Sequence, residues 1–377
     1  MSEPRVIIAG GGTGGHLFPA ISIGEELRQR GAVIHYIGSE HGLEATRIPD
    51  LNISYDLLDV RGIQRSWSSS AIRQNVVFPL RMFNAYRKAR QILADFKPQV
   101  VVGTGGYSAG VPLLAAQHCG IPTVIQEQNS YPGITTRVLS KNASKICIAF
   151  EDAVPHLKSK RWILTGNPVR SNIRVADRSA SCGKLKLDPK RPVVFILGGS
   201  QGARSINQHI RAMIPHYSTR GIQLVWQCGK WDFPELNRSI TDENVHLYEF
   251  ISDMGTAYSA ADVVISRAGA VALAELTLCR KVMILIPLPS AAADHQTKNA
   301  RALVNRGAAI LIHQHQLKAG ELENQLDKVL ANRTQCDDLM NNAGRCSHPD
   351  ALKNIGDEIW GLMTSSVKKD SDAKNAG

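Results

Sequence analysis

Two glycine-dense turns, each set between an apolar run and a helix pattern, constrain this chain more than any other feature. The first is Val6-Ile7-Ile8-Ala9-Gly10-Gly11-Gly12-Thr13-Gly14-Gly15-His16, with helical spacing from about Pro19 through Ile23 and Leu27. The second is Pro192-Val193-Val194-Phe195-Ile196-Leu197, running into Gly198-Gly199-Ser200-Gln201-Gly202-Ala203-Arg204. Glycines at such a turn let the backbone bend sharply and bring N–H groups close to a ligand. The helix that follows adds roughly half a positive charge at its N-terminus, which suits a phosphate. His16 stands at the lip of the first turn, where a titratable imidazole can meet a substrate. Gly10-x-Gly12-x-x-Gly15 matches the dinucleotide fingerprint, but alone that is a weak signal. The second strand ends Tyr36-Ile37-Gly38-Ser39-Glu40, so Glu40 is an imperfect ribose acid for a dehydrogenase. No Gly-Lys-Ser/Thr follows, so the turn is not a P-loop. Hydride transfer has no need of the second turn.

Between and after these turns, short β-branched runs alternate with helical stretches. Strands are expected at Val6–Ala9, Val33–Ile37, Val100–Val102, Thr123–Gln126, Lys145–Ala149 and Trp162–Thr165. Gly166-Asn167-Pro168-Val169-Arg170 then breaks the pattern. A second series is expected at Pro192–Leu197, Leu224–Gln227, Val245–Tyr248, Val263–Ser266, Val282–Ile286 and Ala309–Ile312. Apolar runs separated by helices read as βαβ units and parallel sheets. The fold class is therefore α/β, two Rossmann-like parallel-sheet domains with an interdomain cleft as the expected ligand site. The expected division is 1–167, 168–350, a closing helix at 351–364 and a disordered polar tail at 365–377. A chain of 377 residues is long enough for both domains.

The net charge of +11 points to an acidic partner. Seven scattered cysteines without a CxxC pair argue for reduced thiols and against zinc. Met1-Ser2-Glu3-Pro4 leads straight into a strand, so no signal peptide is expected, and no apolar stretch of about 18 residues exists to span a membrane. There is no HExxH, and the single Asp-x-Asp lies at Asp370–Asp372 in the tail. No metal and no cofactor is indicated. Leaving-group charge falls to helix N-termini, turn amides and Arg170.

Four further segments carry chemistry. Ser266-Arg267-Ala268-Gly269-Ala270-Val271-Ala272-Leu273-Ala274-Glu275 follows a strand. The amides of Ala270–Ala272 suit a diphosphate, and a semi-buried Glu275 suits both hydroxyls of a ribose. Pro287–Ala300 includes Asp294-His295-Gln296, where Gln296 suits sugar hydroxyls and Asp294 a helix cap. Gln126-Glu127-Gln128-Asn129 ends a strand, with Glu127 either a second base candidate or a structural carboxylate. Arg61–Lys97 holds eight basic residues against one acid, Asp95. Its helix from about Pro79 presents Met82, Ala85, Ala89, Ile92, Leu93 and Phe96 as core. Val76, Leu80, Phe83 and Tyr86, mixed with Arg73, Arg81 and Arg87, suit an anionic membrane surface. No nucleic-acid module is recognisable.

Taken in order, Gly10–His16, Thr104-Gly105-Gly106-Tyr107, Glu127-Gln128-Asn129, Gly166-Asn167-Pro168-Val169-Arg170, Gly198–Ala203, Phe250-Ile251-Ser252-Asp253-Met254, Ser266–Ala270 and Asp294-His295-Gln296-x-x-Asn299-Ala300 resemble the bacterial MurG family. The resemblance runs to about Thr364. It implies the GT-B fold and inverting transfer of GlcNAc from UDP-GlcNAc to the C4 hydroxyl of the MurNAc unit of lipid I, giving lipid II for peptidoglycan and cell-wall synthesis. It also implies a peripheral location on the cytoplasmic face of the inner membrane. Its expected partners are UDP-GlcNAc, lipid I, the anionic membrane surface and other cell-wall synthesis proteins. By analogy Ile251 contacts uracil, Glu275 the ribose, Ser200 and Ala270–Leu273 the diphosphate side with Ala274 beside them, and Gln296 the GlcNAc. Arg170 and Asn129 complete the donor site, and Thr13, Gly14 and Gly15 close on the sugar. His16 is the expected general base, with Glu127 in reserve. His295 departs from members with two glutamines in the sugar loop. The rival reading is another GT-B-like sugar-nucleotide enzyme, such as a UDP-GlcNAc 2-epimerase.

Overall fold

Strands buried on both faces read as continuous apolar runs, and two such sets of strands build this protein. The computed structural model describes residues 3–62, 76–170, 173, 175–199 and 201–375, with side chains of the last helix described to residue 364. The chain divides into two compact units, Met1–Val169 with Pro349–Gly377, and Arg170–His348.

The first unit holds a seven-stranded parallel sheet of β1 (Arg5–Ala9), β2 (Val33–Ser39), β3 (Ser54–Leu58), β4 (Val100–Gly103), β5 (Thr123–Glu127), β6 (Lys145–Ile148) and β7 (Trp162–Leu164). The order is β3-β2-β1-β4-β5-β6-β7. Side chains alternate between its faces. Ile7, Ala9, Ile37, Val101, Ile125 and Ile146 pack on one side with Ala85, Ala89, Ile92 and Leu93 of the helix Phe78–Phe96. Val6, Ile8, Tyr36, Val100, Val102 and Val124 pack on the other with Leu17, Ile23 and Leu27 of the helix Gly14–Gln29.

That second face is completed from far along the chain. Ile355, Ile359 and Met363 of the final helix join the same cluster. Arg30 Nη1 pairs with Asp357 at 2.6 Å, and Lys145 Nζ with Glu358 at 2.8 Å. This helix runs Ala351–Asn375, past the 351–364 read from the sequence. Residues 365–375 contain neither Gly nor Pro, so nothing local stops it.

The second unit holds β8 (Val193–Leu197), β9 (Gln223–Gln227), β10 (Val245–Tyr248), β11 (Val263–Ser266), β12 (Val282–Leu285) and β13 (Ile310–Leu311). All pair in parallel in the order β10-β9-β8-β11-β12-β13. Val194, Ile196, Leu224, Trp226, Ile265 and Ile284 face a cluster that includes Ile206 and Ile210 of the helix Arg204–Thr219. His209 Nε2 on that helix donates to Glu323 Oε1 at 2.7 Å. In both sheets the first strand is central and the order reverses beside it, between β1 and β4 and between β8 and β11. Loops at the carboxyl ends of those strands are where open α/β sheets bind ligands.

Candidate active site

The loop after β1 turns through Gly12, at φ +83°, a backbone that L side chains rarely adopt. Thr13 is the N-cap position of the helix Gly14–Gln29, whose first turn carries a half-buried His16. His16 Nδ1 lies 3.0 Å from Gln128 Oε1. The Gln128 amide nitrogen donates to Thr104 O at 2.7 Å and Gln126 O at 3.2 Å, so its oxygen is the atom that faces the ring. An amide oxygen only accepts, so this pairing assigns the proton to Nδ1 and the lone pair to Nε2. Gly105, at φ +103°, makes room for the ring, because a Cβ there would stand 2.7 Å from His16 Nδ1.

Glu127, at the end of β5, is buried. Its Oε1 accepts from Asn129 N at 3.0 Å and Asn129 Nδ2 at 3.2 Å. Its Oε2 accepts from Gly133 N at 3.1 Å and Thr136 Oγ1 at 2.6 Å. Four donors on two oxygens tie the carboxylate to the loop that carries Gln128 and Asn129.

In the second unit, β11 leads through Gly269 into the helix Ala270–Leu278. The helix N-terminus at Ala270–Ala272 carries the partial positive charge of its first-turn amides. Leu273 N already bonds Gly269 O at 3.0 Å, and Ala274 is half-buried on the same helix. Glu275, 3% exposed, accepts on Oε1 from Arg170 Nη2 at 3.1 Å and Nε at 3.3 Å, and on Oε2 from Tyr258 at 2.8 Å. Burial, then the Glu275 carboxylate, pushes the Tyr258 phenol well up, so it stays a donor. The sequence pointed to Arg170 and Glu275 separately; their pairing, and Tyr258, were not foreseen.

Ile251 is buried and its amide donates to Gln227 Oε1 at 2.9 Å, so the carbonyl is its remaining backbone polar group. Gln296 Oε1 accepts from Leu288 N at 2.9 Å, so the amide nitrogen is its outward group. Asp294 accepts from Thr297 Oγ1 at 2.6 Å and makes no side-chain cap to the helix backbone, contrary to the sequence reading of a helix cap. The residue stands at φ +54°, left-handed backbone rather than the extended conformation usual at a helix N-cap. Arg267, also unforeseen, donates to Ile286 O at 3.0 Å, Pro287 O at 3.1 Å and Gln314 Oε1 at 2.8 Å, so it holds the start of the Gln296 loop. Burial brings its guanidinium down to about 10, still cationic at neutral pH. A cavity of about 780 Å³ beside this loop is lined by His209, Arg301, His313 and Lys318 with Asp294 as its acid. Ser200 lies outside the described residues.

On the helix Phe78–Phe96, Leu80 and Phe83 are exposed, as is Val76 just before it. Arg87 is exposed beside them, and Arg81 pairs with Asp59 at 3.4 Å. Tyr86 departs from the expected patch: it leans on the core and its hydroxyl meets His118 Nδ1 at 2.8 Å. It directly follows the buried Ala85 and lies three residues before the buried Ala89, so its ring flanks the buried stripe. Arg73 lies outside the described residues. No helix among the described residues is long and apolar enough to cross a membrane. Among them the one trio of metal-ligating type is Glu40, His41 and Asp59. His41 there already donates to Asp59 at 2.8 Å and accepts from Arg61 at 3.0 Å.

Two parallel α/β units, each with a glycine-rich turn after its central strand, form the GT-B architecture, and the family models make the class that of glycosyltransferases. The models for the N-terminal and C-terminal domains of glycosyltransferase family 28 match residues 6–148 and 193–355. A relative from Flavobacterium psychrophilum is 41% identical over 97% of this chain and 99% of its own. It is named UDP-N-acetylglucosamine–N-acetylmuramyl-(pentapeptide) pyrophosphoryl-undecaprenol N-acetylglucosamine transferase. The crystal structure of Acinetobacter baumannii MurG is similar with a TM-score of 0.77 and 29% identity, over 95% of this chain and 99% of that one. A UDP-N-acetylglucosamine 2-epimerase is similar at a TM-score of 0.61 and 13% identity, over 94% of this chain and 95% of that one, a likeness of fold alone. The chain belongs to glycosyltransferase family 28 and, within it, to the MurG family.

Proposed function

We propose that this protein transfers GlcNAc from UDP-GlcNAc to the C4 hydroxyl of MurNAc in undecaprenyl-diphospho-MurNAc-pentapeptide, lipid I, to form lipid II. The observation that carries this reading is identity of 41% across nearly the whole of a relative that bears this activity in its name. The first unit is assigned the acceptor and the second the donor. On the donor side, the Ile251 carbonyl reads the uracil. Glu275, braced by Arg170 and Tyr258, takes the ribose hydroxyls. The first-turn amides of Ala270–Ala272 meet the diphosphate, and the Gln296 amide nitrogen meets the GlcNAc.

The donor is α-linked and lipid II is β-linked, so a single in-line displacement suffices. The acceptor oxygen forms its bond to C1 as the bond from C1 to the UDP oxygen breaks. His16 Nε2 takes the hydroxyl proton, a contribution of about 10²–10⁴-fold for a positioned base. The negative charge gathering on the departing diphosphate is met by backbone amides and Arg170. Glu127, with its oxygens already engaged, serves by shaping the loop that orients Gln128 and, through it, His16. Val76, Leu80, Phe83 and the surrounding arginines rest on an anionic bilayer at its cytoplasmic face, where a polyprenyl acceptor is anchored.

The test is transfer of labelled GlcNAc from UDP-GlcNAc to a lipid I analogue, without added metal. A labelled disaccharide lipid is the expected product. A labelled soluble product of inverted C2 configuration, with no labelled lipid, would favour the epimerase chemistry instead.

A further inference from the structure

The first glycine-rich turn looks like a phosphate cradle, but one of its amides is already taken by an anion of the protein's own. Glu44 opens a four-residue helix, Glu44–Arg47, just after β2, and its side chain is wholly buried. Gly12 N donates to its Oε2 at 2.7 Å and Ser39 N to its Oε1 at 3.0 Å. Three glycines make room for it. A Cβ at Gly11 would stand 2.2 Å from Glu44 Cδ, one at Gly38 2.7 Å from Cγ, and one at Gly42 2.1 Å from Oε2. Among the described residues no Lys, Arg or His lies within ion-pair distance of this carboxylate; backbone N–H groups are its partners. That is how such turns hold phosphates.

We propose that Glu44 is a positioning residue that acts as the resident anion of the first glycine-rich turn. By occupying the Gly12 amide it locks the turn between β1 and β2 and fixes where the helix carrying His16 begins. The surroundings are built to the same end. The Tyr36 hydroxyl donates to Gly10 O, and burial, then the Glu44 carboxylate, pushes that phenol up so that it stays protonated. Thr104 Oγ1 donates to His16 O at 2.8 Å from the opposite side. This inference rests on the reading of His16 as the base.

The experiment compares the parent enzyme with Glu44→Ala and Glu44→Gln in the transfer assay, with formate, acetate or chloride added at equal ionic strength. Glutamine offers one acceptor where the carboxylate offers two, so neither variant can satisfy both amides. A misplacement of about 1 Å costs on the order of 10²-fold in rate, so a fall in kcat of that order is expected with the KM for UDP-GlcNAc unchanged. Formate and acetate, but not chloride, should restore kcat in Glu44→Ala and raise its melting temperature, while leaving the parent as it was. Parent-level kcat in either variant overturns the proposal. So does a rise in the UDP-GlcNAc KM in place of the fall in kcat, or formate acting no better than chloride on both readouts. Absence of transfer by the parent itself would sink the functional reading, whereas the formate effect on melting tests the anion seat independently.

Discussion

Replacing Leu80 and Phe83 together by Asp is the sharpest test of membrane docking, because its size follows from their exposure. Full burial of such a side chain contributes about 1.5–3 kcal/mol. Leu80 is 63% exposed and Phe83 58%, so only that share remains to be gained from a bilayer. Each is then worth about 1–2 kcal/mol and the pair about 2–4 kcal/mol, which is about 30- to 10³-fold in partitioning. The two new carboxylates add repulsion from an anionic surface at about 1 kcal/mol per charge. Since both side chains stand in solvent, the melting temperature should hold. Co-sedimentation with vesicles containing anionic lipid, at two salt concentrations, reads the effect. The double variant should stay in the supernatant where the parent pellets, and the parent should release as salt rises. Equal binding by the two proteins would refute the reasoning.

Further outcomes follow from the same geometry. His16→Ala should lower kcat by about 10²–10⁴-fold with little change in the UDP-GlcNAc KM, and near-parent turnover would remove it from the role of base. Gly105→Ala should copy that loss, because the new methyl group would stand within 2.8 Å of the imidazole Cε1; steady-state kinetics at fixed donor decide it. Glu275→Ala removes a charged acceptor, each of whose hydrogen bonds is worth about 1.5–3 kcal/mol, so the UDP-GlcNAc KM should rise about 10- to 100-fold. An unchanged KM contradicts the ribose assignment. Burial pushes the Glu323 carboxyl up, but its hydrogen bond from His209 brings it below its usual value. Its stabilisation is therefore present above the unfolded value near pH 4.3 and is lost as pH falls through the folded one. Glu323→Gln should melt lower than the parent at pH 7, with the gap closing below about pH 4 in a thermal melt.

The central strands were legible because they are buried on both faces, which leaves unbroken β-branched runs such as Val100-Val101-Val102 and Val193-Val194-Phe195. β3 was missed because it is an edge strand, where Ser54 and Tyr55 are exposed and Asp56 half-exposed. Apolar periodicity has nothing to report on such a strand. The glycine-rich turns were legible as such, and His16 and Glu275 stood out as candidates from their local sequence. What side chains hold each other was not legible. Glu44 lies 32 residues from the Gly12 amide it accepts from, and a four-residue helix leaves no periodic trace. Arg170 and Glu275 are 105 residues apart, and only the folded second unit joins them. The sequence left Glu127 open between two roles, since a carboxylate at a strand end looks the same whether its oxygens face a ligand or four donors of its own loop.

The last helix has a bearing on how the molecule is made. A ribosome delivers Val6, Ile8, Leu17, Ile23 and Leu27 long before Ile355, Ile359 and Met363, which cover them. Throughout synthesis of the intervening stretch, the nascent amino-terminal half carries a greasy stripe without its lid. A fragment cut after Val169 should aggregate, whereas the same fragment extended by residues 349–377 through a flexible tether should be well behaved in solution.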